Sequence, residues 1–279
     1  MSDLRILAIG DIVGRPGRDL VKERMRPFMA EHQVDLCIAN GENSAGGAGI
    51  TPEIVEELVQ AGVGMITTGD HIWDKKEIVP YLDKSRWVLR PANYVDVAAG
   101  RGYGIVTLAS GQKVGVLNLQ GRVFMAPSEC PFKAADEAIE ILRRETPVIV
   151  VDFHAEATSE KIALGWHLDG RVSFLYGTHT HVQTADETVL PKGTAYLTDL
   201  GMSGPHESVL GRRIDRVLHL FTTNMPAPFD VATGDVRLMG AIATIDPLTG
   251  RAKAIERVAI RPTVPSPAPE RPGTPAAAR

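Results

Sequence analysis

From Leu4 to His71 the chain alternates short apolar runs with amphipathic stretches. Leu4 to Ile9 is a mostly apolar run of strand length that stops at Gly10-Asp11. Leu20, Val21, Met25, Phe28 and Met29 then recur on one helical face, with Pro16 near the start of that helix. Val34 to Ala39 predicts a second strand, running into Asn40-Gly41-Glu42-Asn43. A Gly-rich stretch over 46–49 leads to Thr51-Pro52-Glu53, a helix start with Thr51 as cap. Ile54, Val55, Leu58 and Val59 give that helix its apolar stripe. Val63 to Thr68 predicts a third strand, ending in Gly69-Asp70-His71. The order β-α-β-α-β implies parallel strands joined by right-handed crossovers, with ligand-binding groups at the strand ends. The chain is therefore read as α/β.

The middle of the chain is richer in strand patterns. Gly104 to Ala109 and Val114 to Leu119 flank Ser110-Gly111-Gln112-Lys113 and predict a hairpin. Lys133 to Arg144 is an amphipathic helix. Pro147 to Val151 is a buried strand entering Asp152-Phe153-His154. Thr158 to Leu168 reads as a helix, and Val172 to Tyr176 as a strand ending at Gly177-Thr178-His179-Thr180-His181. Thr194 to Thr198 is a further strand, Ser208 to Phe221 a helix, and Met239 to Ile245 with Ala254 to Ile260 a closing hairpin. The pattern gives one domain over residues 1–262. A Pro- and Ala-rich tail over 263–279 lacks the apolar content to fold and is expected to be disordered.

Composition narrows the class. Hydrophobic residues make up 44% of the 279 and charged residues 23%, which is ordinary for a soluble globular chain. A net charge of −4 gives no bulk electrostatic case for nucleic acid or an anionic membrane. No apolar stretch reaches the ~20 residues of a membrane span, and no signal-peptide core precedes the first strand. Only Cys37 and Cys130 are present, too few for a disulfide framework at this length. A cytoplasmic enzyme that does not engage a membrane is the expectation.

Candidate chemistry gathers at the strand ends: Asp11, then Glu42 and Asn43, then Asp70 and His71, then His154, then His179 and His181. Each alone has a bland explanation as a helix cap, a solvated turn or a structural histidine. Five such ends in one chain are harder to explain that way. His-X-His after a strand can turn both imidazoles to one side and offer nitrogen to zinc, iron or manganese. Asp11, Glu42, Asn43, Asp70, His154, His179 and His181 are too many ligands for one ion. Two ions ~3.5–4 Å apart would use them, an arrangement suited to phosphoryl displacement. Arg15 and Arg122 are candidate phosphate or base contacts, although each fits a surface role as well. His32, His167, His206 and His219 have no role in this pattern.

Gly10-Asp11, Gly69-Asp70-His71 and Gly177-Thr178-His179-Thr180-His181 resemble, in order, the motifs of the calcineurin-like metallophosphoesterases. Gly10 to Gly17, Asn40 to Gly47, Asn118 to Met125 and Asp152 to Glu160 more narrowly resemble the bacterial YmdB-like family, over nearly all of the chain to about residue 262. The resemblance implies a four-layer α/β/β/α sandwich and a dinuclear metal-dependent phosphodiesterase. Such an enzyme hydrolyses 2′,3′-cyclic nucleotides, or cyclic RNA ends, to 3′-nucleotides by way of a metal-activated hydroxide. It implies iron as the metal, with manganese or zinc as alternatives, and a homo-oligomer. It places Asp11, Glu42, Asn43 and His181 around one ion, and Glu42, Asp70, His154 and His179 around the other, with Glu42 bridging. Asn43 would also stabilise phosphoryl oxygen, and His71 would be the proton donor.

Two departures stand out. The wider superfamily has Asp-X-His in its first motif, whereas Asp11 is followed by Ile12 and Val13, so Asn43 fills the gap. The usual Gly-Asn-His is here Gly-Asp-His. Asp70 adds a negative charge where an amide is usual, leaving the loaded centre near neutral. That favours metal retention over phosphate attraction. A broader cyclic-nucleotide phosphodiesterase or a phosphomonoesterase is the alternative activity. A low-turnover nucleotide- or RNA-binding regulator is the alternative class.

Overall fold

A computed structural model of the protein describes residues 2–263. Most of the expected tail, 264–279, lies outside the described residues. The first half contains β1 (Leu4–Ile9), β2 (Asp11–Ile12), α1 (Gly14–Glu31), β3 (Leu36–Asn40), α2 (Pro52–Ala61), β4 (Met65–Thr67), α3 (Val79–Leu82), β5 (Tyr103–Thr107), β6 (Lys113–Gln120) and α4 (Pro131–Leu142). The second half contains β7 (Ile149–His154), α5 (Thr158–Leu168), β8 (Phe174–Thr178), β9 (Thr188–Val189), β10 (Ala195–Leu197), β11 (Met202–Glu207), α6 (Ile214–Thr223), β12 (Gly234–Ile245) and β13 (Ala252–Ile260).

The strands form two sheets. One has the order β2-β11-β12-β1-β3-β4, with β13 against β12; the other has the order β5-β6-β7-β8-β10-β9. β1, β3 and β4 run parallel, as the β-α-β-α-β pattern requires, and so do β6, β7, β8 and β10.

Alternation along each strand sets the layers. Leu7 and Ile9 of β1 face Leu20, Val21 and Met25 of α1 and Val55 and Leu58 of α2. Leu4, Ile6 and Ala8, the other face of β1, pack with Val150 of β7 and Phe174 and Tyr176 of β8. Val151 and Phe153 in turn cover Ala138 and Leu142 of α4 and Leu164 and Leu168 of α5. The result is helix, sheet, sheet, helix, a mixed α/β sandwich of the kind expected. Fully burying each Leu, Ile, Val or Phe of these layers stabilises the fold by roughly 1.5–3 kcal/mol.

Local signals hold at α2. Thr51 caps it, its Oγ1 accepting from the Ile54 amide at 3.4 Å. Gly62 ends it in the left-handed region at φ 114°. The two cysteines are unbonded: Cys37 is buried on β3, and Cys130 precedes α4.

One expectation needs correction. The helix expected over Ser208 to Phe221 begins only at Ile214. Leu210 and Gly211 have φ of +50° and +90°, and Val209 bridges Arg212, so this stretch is a tight turn. Before it, β11 pairs parallel with β2 and antiparallel with β12. The ligand-bearing strand ends come from both sheets. Asp11, Glu42 and Asp70 follow β1, β3 and β4; His154, His179 and His181 belong to β7 and the segment after β8 of the facing sheet.

Candidate metal centre

The site sits where the two sheets present their strand ends to each other. Oxygens of Glu42 and Asp70 and nitrogens of His154 and His179 all lie within 4.8 Å of one another. His154 Nε2 is at the middle, 3.0 Å from Glu42 Oε1, 3.1 Å from Asp70 Oδ1 and 3.0 Å from His179 Nδ1. Beside this group, His181 Nε2 is 3.1 Å from Asn43 Oδ1 and 3.9 Å from Asp11 Oδ1. All seven residues expected as ligands are thus brought together.

Contacts on the far side of each imidazole show which nitrogen faces the group. The Thr178 hydroxyl donates to Asp152 at 2.7 Å, so its oxygen accepts from His154 Nδ1 at 2.9 Å. His179 Nε2 pairs with Glu156 at 3.2 Å, and His181 Nδ1 donates to the Leu210 carbonyl at 3.1 Å. Each ring thus has an outward partner for one nitrogen and turns its other nitrogen inward. The inward partners are carboxylate and amide oxygens, or another imidazole nitrogen. Such a convergence at about 3 Å favours positive charge among these atoms, a proton or a metal ion, and an outward N–H to carbonyl, hydroxyl or carboxylate is the usual support of a metal-bound histidine.

Electrostatics agree. Asp11 is fully buried, and its Oδ1 has no hydrogen-bond partner among the described residues, while Oδ2 accepts from the His179 amide at 3.1 Å. Burial pushes the Asp11 carboxyl up, against the pull of His181 and His154. Burial opposes charge on His154 too, yet Glu42, Asp70 and Asp11 hold that imidazole well above its usual range. Asp70, despite partial burial, is held well below the carboxylate range by His154 and His179. Buried carboxylates around one point favour positive charge there. The donor set of Glu42, Asp70, His154 and His179 suits a divalent ion of the first transition series.

The motif residues are also sterically required. A Cβ on Gly69 would lie 2.2 Å from His154 Nε2 and 2.5 Å from Glu42 Oε2. One on Gly177 would lie 1.9 Å from the Thr198 carbonyl oxygen. The His-X-His pair faces the site for a reason other than the one expected. His179 and His181 lie past the end of β8 with φ of 95° and 65°, so strand pleat does not align them. The turned backbone sends His179 to the Asp70 side and His181 to the Asn43 side.

His71 is close by but differently disposed. Its amide donates to Glu42 Oε2 at 3.2 Å, and its Nδ1 meets Asp74 Oδ2 at 3.0 Å, leaving Nε2 outside the ligand group. Asp74 ends the same 3-10 turn and was not singled out from the sequence, although an Asp three residues after His71 was available as a signal. Also missed were Asp152, Glu156 and the buried pair Lys161–Asp199. Lys161 Nζ donates to Asp199 Oδ2 at 2.6 Å, and the same oxygen accepts from the Thr180 hydroxyl at 2.7 Å, fixing the residue between the two histidines. Asp152 accepts from Thr67 and Thr178, and burial pushes its carboxyl up to about 7.

Arg15 and Arg122 take no part in the ligand group. Arg15 pairs with Asp19, and the Arg122 guanidinium reaches Cys130 Sγ. His32 stacks on Phe28, His167 pairs with Asp136, and His206 Nδ1 bonds the Gly204 carbonyl. No helix among the described residues is long and apolar enough to cross a membrane.

Comparison with known proteins places this arrangement. The sequence model of the YmdB-like protein family matches residues 7–258. The chain is 49% identical over 257 residues to the 2′,3′-cyclic-nucleotide 2′-phosphodiesterase of Bacillus subtilis (strain 168), a match that covers 92% of this chain and 97% of that protein. The crystal structure of a hypothetical protein from Thermus thermophilus superposes with a TM-score of 0.86 at 39% identity, over 93% of this chain and 100% of that one. A Mycoplasma pneumoniae protein, described from its crystal structure as a novel phosphatase, does so with a TM-score of 0.87 at 34% identity, over 94% and 95%. The fold is thus a metallophosphoesterase sandwich, and the chain is a hydrolytic enzyme that belongs to the YmdB-like protein family.

Proposed function

We propose that the protein is a dinuclear metal-dependent phosphodiesterase that opens 2′,3′-cyclic nucleotides to 3′-nucleotides. The observation that carries the reading is the set of three imidazoles, each anchored outward with its other nitrogen turned inward toward carboxylate and amide oxygens. Kinship with the Bacillus subtilis enzyme supports the substrate class.

Glu42, Asp70, His154 and His179 would hold one ion, and Asp11, Asn43 and His181 the other, with Glu42 shared. When bound, such a pair supplies a water acidic enough to attack at neutral pH and positive charge for the phosphoryl oxygens. The chain supplies the rest. Asn43 Nδ2 donates to the Gly47 carbonyl at 3.3 Å, which orients its amide oxygen toward His181. His71, with Nδ1 held by Asp74 and its side chain 40% exposed, presents Nε2 to protonate the leaving 2′-oxygen. Iron is the expected metal, with manganese or zinc as alternatives.

A side-by-side assay of 2′,3′-cAMP, 3′,5′-cAMP, bis-p-nitrophenyl phosphate and p-nitrophenyl phosphate tests the reading. The expected result is preferred hydrolysis of 2′,3′-cAMP, with 3′-AMP as product. Preference for p-nitrophenyl phosphate would instead make the protein a phosphomonoesterase.

A further inference from the structure

The ligand group opens on one side into a cleft of about 660 Å³, within the range of small-molecule pockets. Asp70 lines it, with Trp73 and Tyr94 as an aromatic wall and Val79, Val95 and Ala99 among the rest. The Trp73 and Tyr94 rings are 6.1 Å apart at their centroids and tilted by 32°. Tyr94 is fixed by its hydroxyl, which donates to the Oε1 of the buried Gln120, and Gln120 Nε2 in turn donates to the Ala126 carbonyl. The wall is therefore formed before any ligand arrives, which lowers the entropic cost of binding. Another cleft, of about 710 Å³, lies beside Arg15 and Phe229 and holds none of the ligand residues.

We infer that the cleft walled by Trp73 and Tyr94 receives the nucleobase of the substrate. The inference rests on the reading of the protein as a 2′,3′-cyclic-nucleotide phosphodiesterase. Chemistry links the two places. In a nucleoside 2′,3′-cyclic phosphate the base is carried by C1′, the carbon bonded to C2′. His71 and Trp73 lie in the same 3-10 turn, Asp70–Trp73, so the donor to the 2′-oxygen and the aromatic wall are two residues apart. A phosphate at the ligand group, with its 2′-oxygen at His71, sends the base past Asp70 toward Trp73.

The lining also sets the specificity. Gln120 spends its amide within the wall, and the Ser128 hydroxyl accepts from Asn93 at 3.1 Å. What remains to meet a base edge is the Ser128 O–H and the Glu129 side chain, in an otherwise mostly apolar lining. The pocket recognises a flat aromatic face rather than one base, so purines and pyrimidines should differ less than base and no base.

The test compares kcat/KM for 2′,3′-cAMP and for 1-O-methyl-ribofuranose 2′,3′-cyclic phosphate, which has no base. Stacking is worth roughly 1–3 kcal/mol per base, so the nucleotide should win by about 5- to 150-fold. Trp73→Ala, which removes the wall, and Ala99→Trp, which fills the cleft, should bring that ratio close to one. In parallel, 3′-AMP should quench a fluorescence component of the metal-loaded wild type that is missing in Trp73→Phe. A wild-type ratio near one, or a ratio unmoved by both variants, overturns the inference while leaving the proposed activity intact. If neither cyclic phosphate is hydrolysed, the proposed activity fails, and the quenching alone decides the pocket: quenching by 3′-AMP upholds it, and its absence removes it.

Discussion

The two halves of the ligand group are built differently. Around His154, three partners lie within 3.1 Å of one nitrogen, and that ring is fully buried. Around Asp11 the packing is looser. Its Oδ1 is 3.9 Å from His181 Nε2 and has no hydrogen-bond partner among the described residues, and the one imidazole of this half meets the Asn43 amide oxygen. The first half comes from both sheets and is clamped by Thr178 and Asp152 from behind. The second depends on His181, whose outward bond goes to the backbone of the 208–213 turn. A compact half with two imidazoles and a looser half with one should hold their ions with unequal strength. The half around His154 should keep its ion when a chelator strips the other.

Substitution of the central histidines gives the largest contrast. His154→Ala removes the nitrogen on which Glu42, Asp70 and His179 converge, and should abolish both ion binding in that half and detectable turnover. His181→Ala should cost the labile ion and leave the tight one in place. Metal analysis of the two purified variants checks this, and equal loss in both would erase the distinction between the halves.

His71 belongs to neither half. His71→Ala should lower kcat by about 10²–10⁴, the usual contribution of a general acid, with metal content unchanged. Loss of metal in that variant would make His71 a ligand instead.

How far the sequence declares these features differs by type. β1, α1, β3, α2 and β4 show themselves through short-range periodicity and caps, and their ends place Asp11, Glu42, Asn43, Asp70 and His71 correctly beside one another in space. The two facing sheets do not show in periodicity. β12 pairs with β1 across most of the chain, Leu4 against Ile245, and no local pattern encodes a contact of that separation. The turn at Leu210 and Gly211 is hidden because the flanking residues continue a helical spacing through it. The supports of the histidines are hidden for another reason. Lysine is almost never buried unless paired, so Lys161 passes for a solvated position on α5 until Asp199 is seen beside it.

That pair serves both halves at once, since Asp199 holds Thr180 between His179 and His181. Lys161→Met leaves a buried carboxylate unpaired. It should cost about 3–5 kcal/mol of stability and weaken ion binding in both halves by about 10- to 100-fold. Denaturant unfolding and metal titration measure the two effects. A drop in stability with ion affinity unchanged would reduce the pair to a purely structural role.

The smallest effect belongs to Asp70, the residue where an amide is usual. Asp70→Asn removes one charge and keeps the shape. Metal retention in the half around His154 should weaken and KM for 2′,3′-cAMP should fall, each within about tenfold, as befits one charge in a polar cluster. Unchanged values for both would show that the extra carboxylate carries no electrostatic consequence.

The account turns on both halves being needed for turnover. Metal-depleted protein can be titrated with Mn²⁺ while the conversion of 2′,3′-cAMP to 3′-AMP is followed. The first equivalent should bind tightly with little activity, and turnover should begin only as the second binds. Full activity at one equivalent per chain would contradict it.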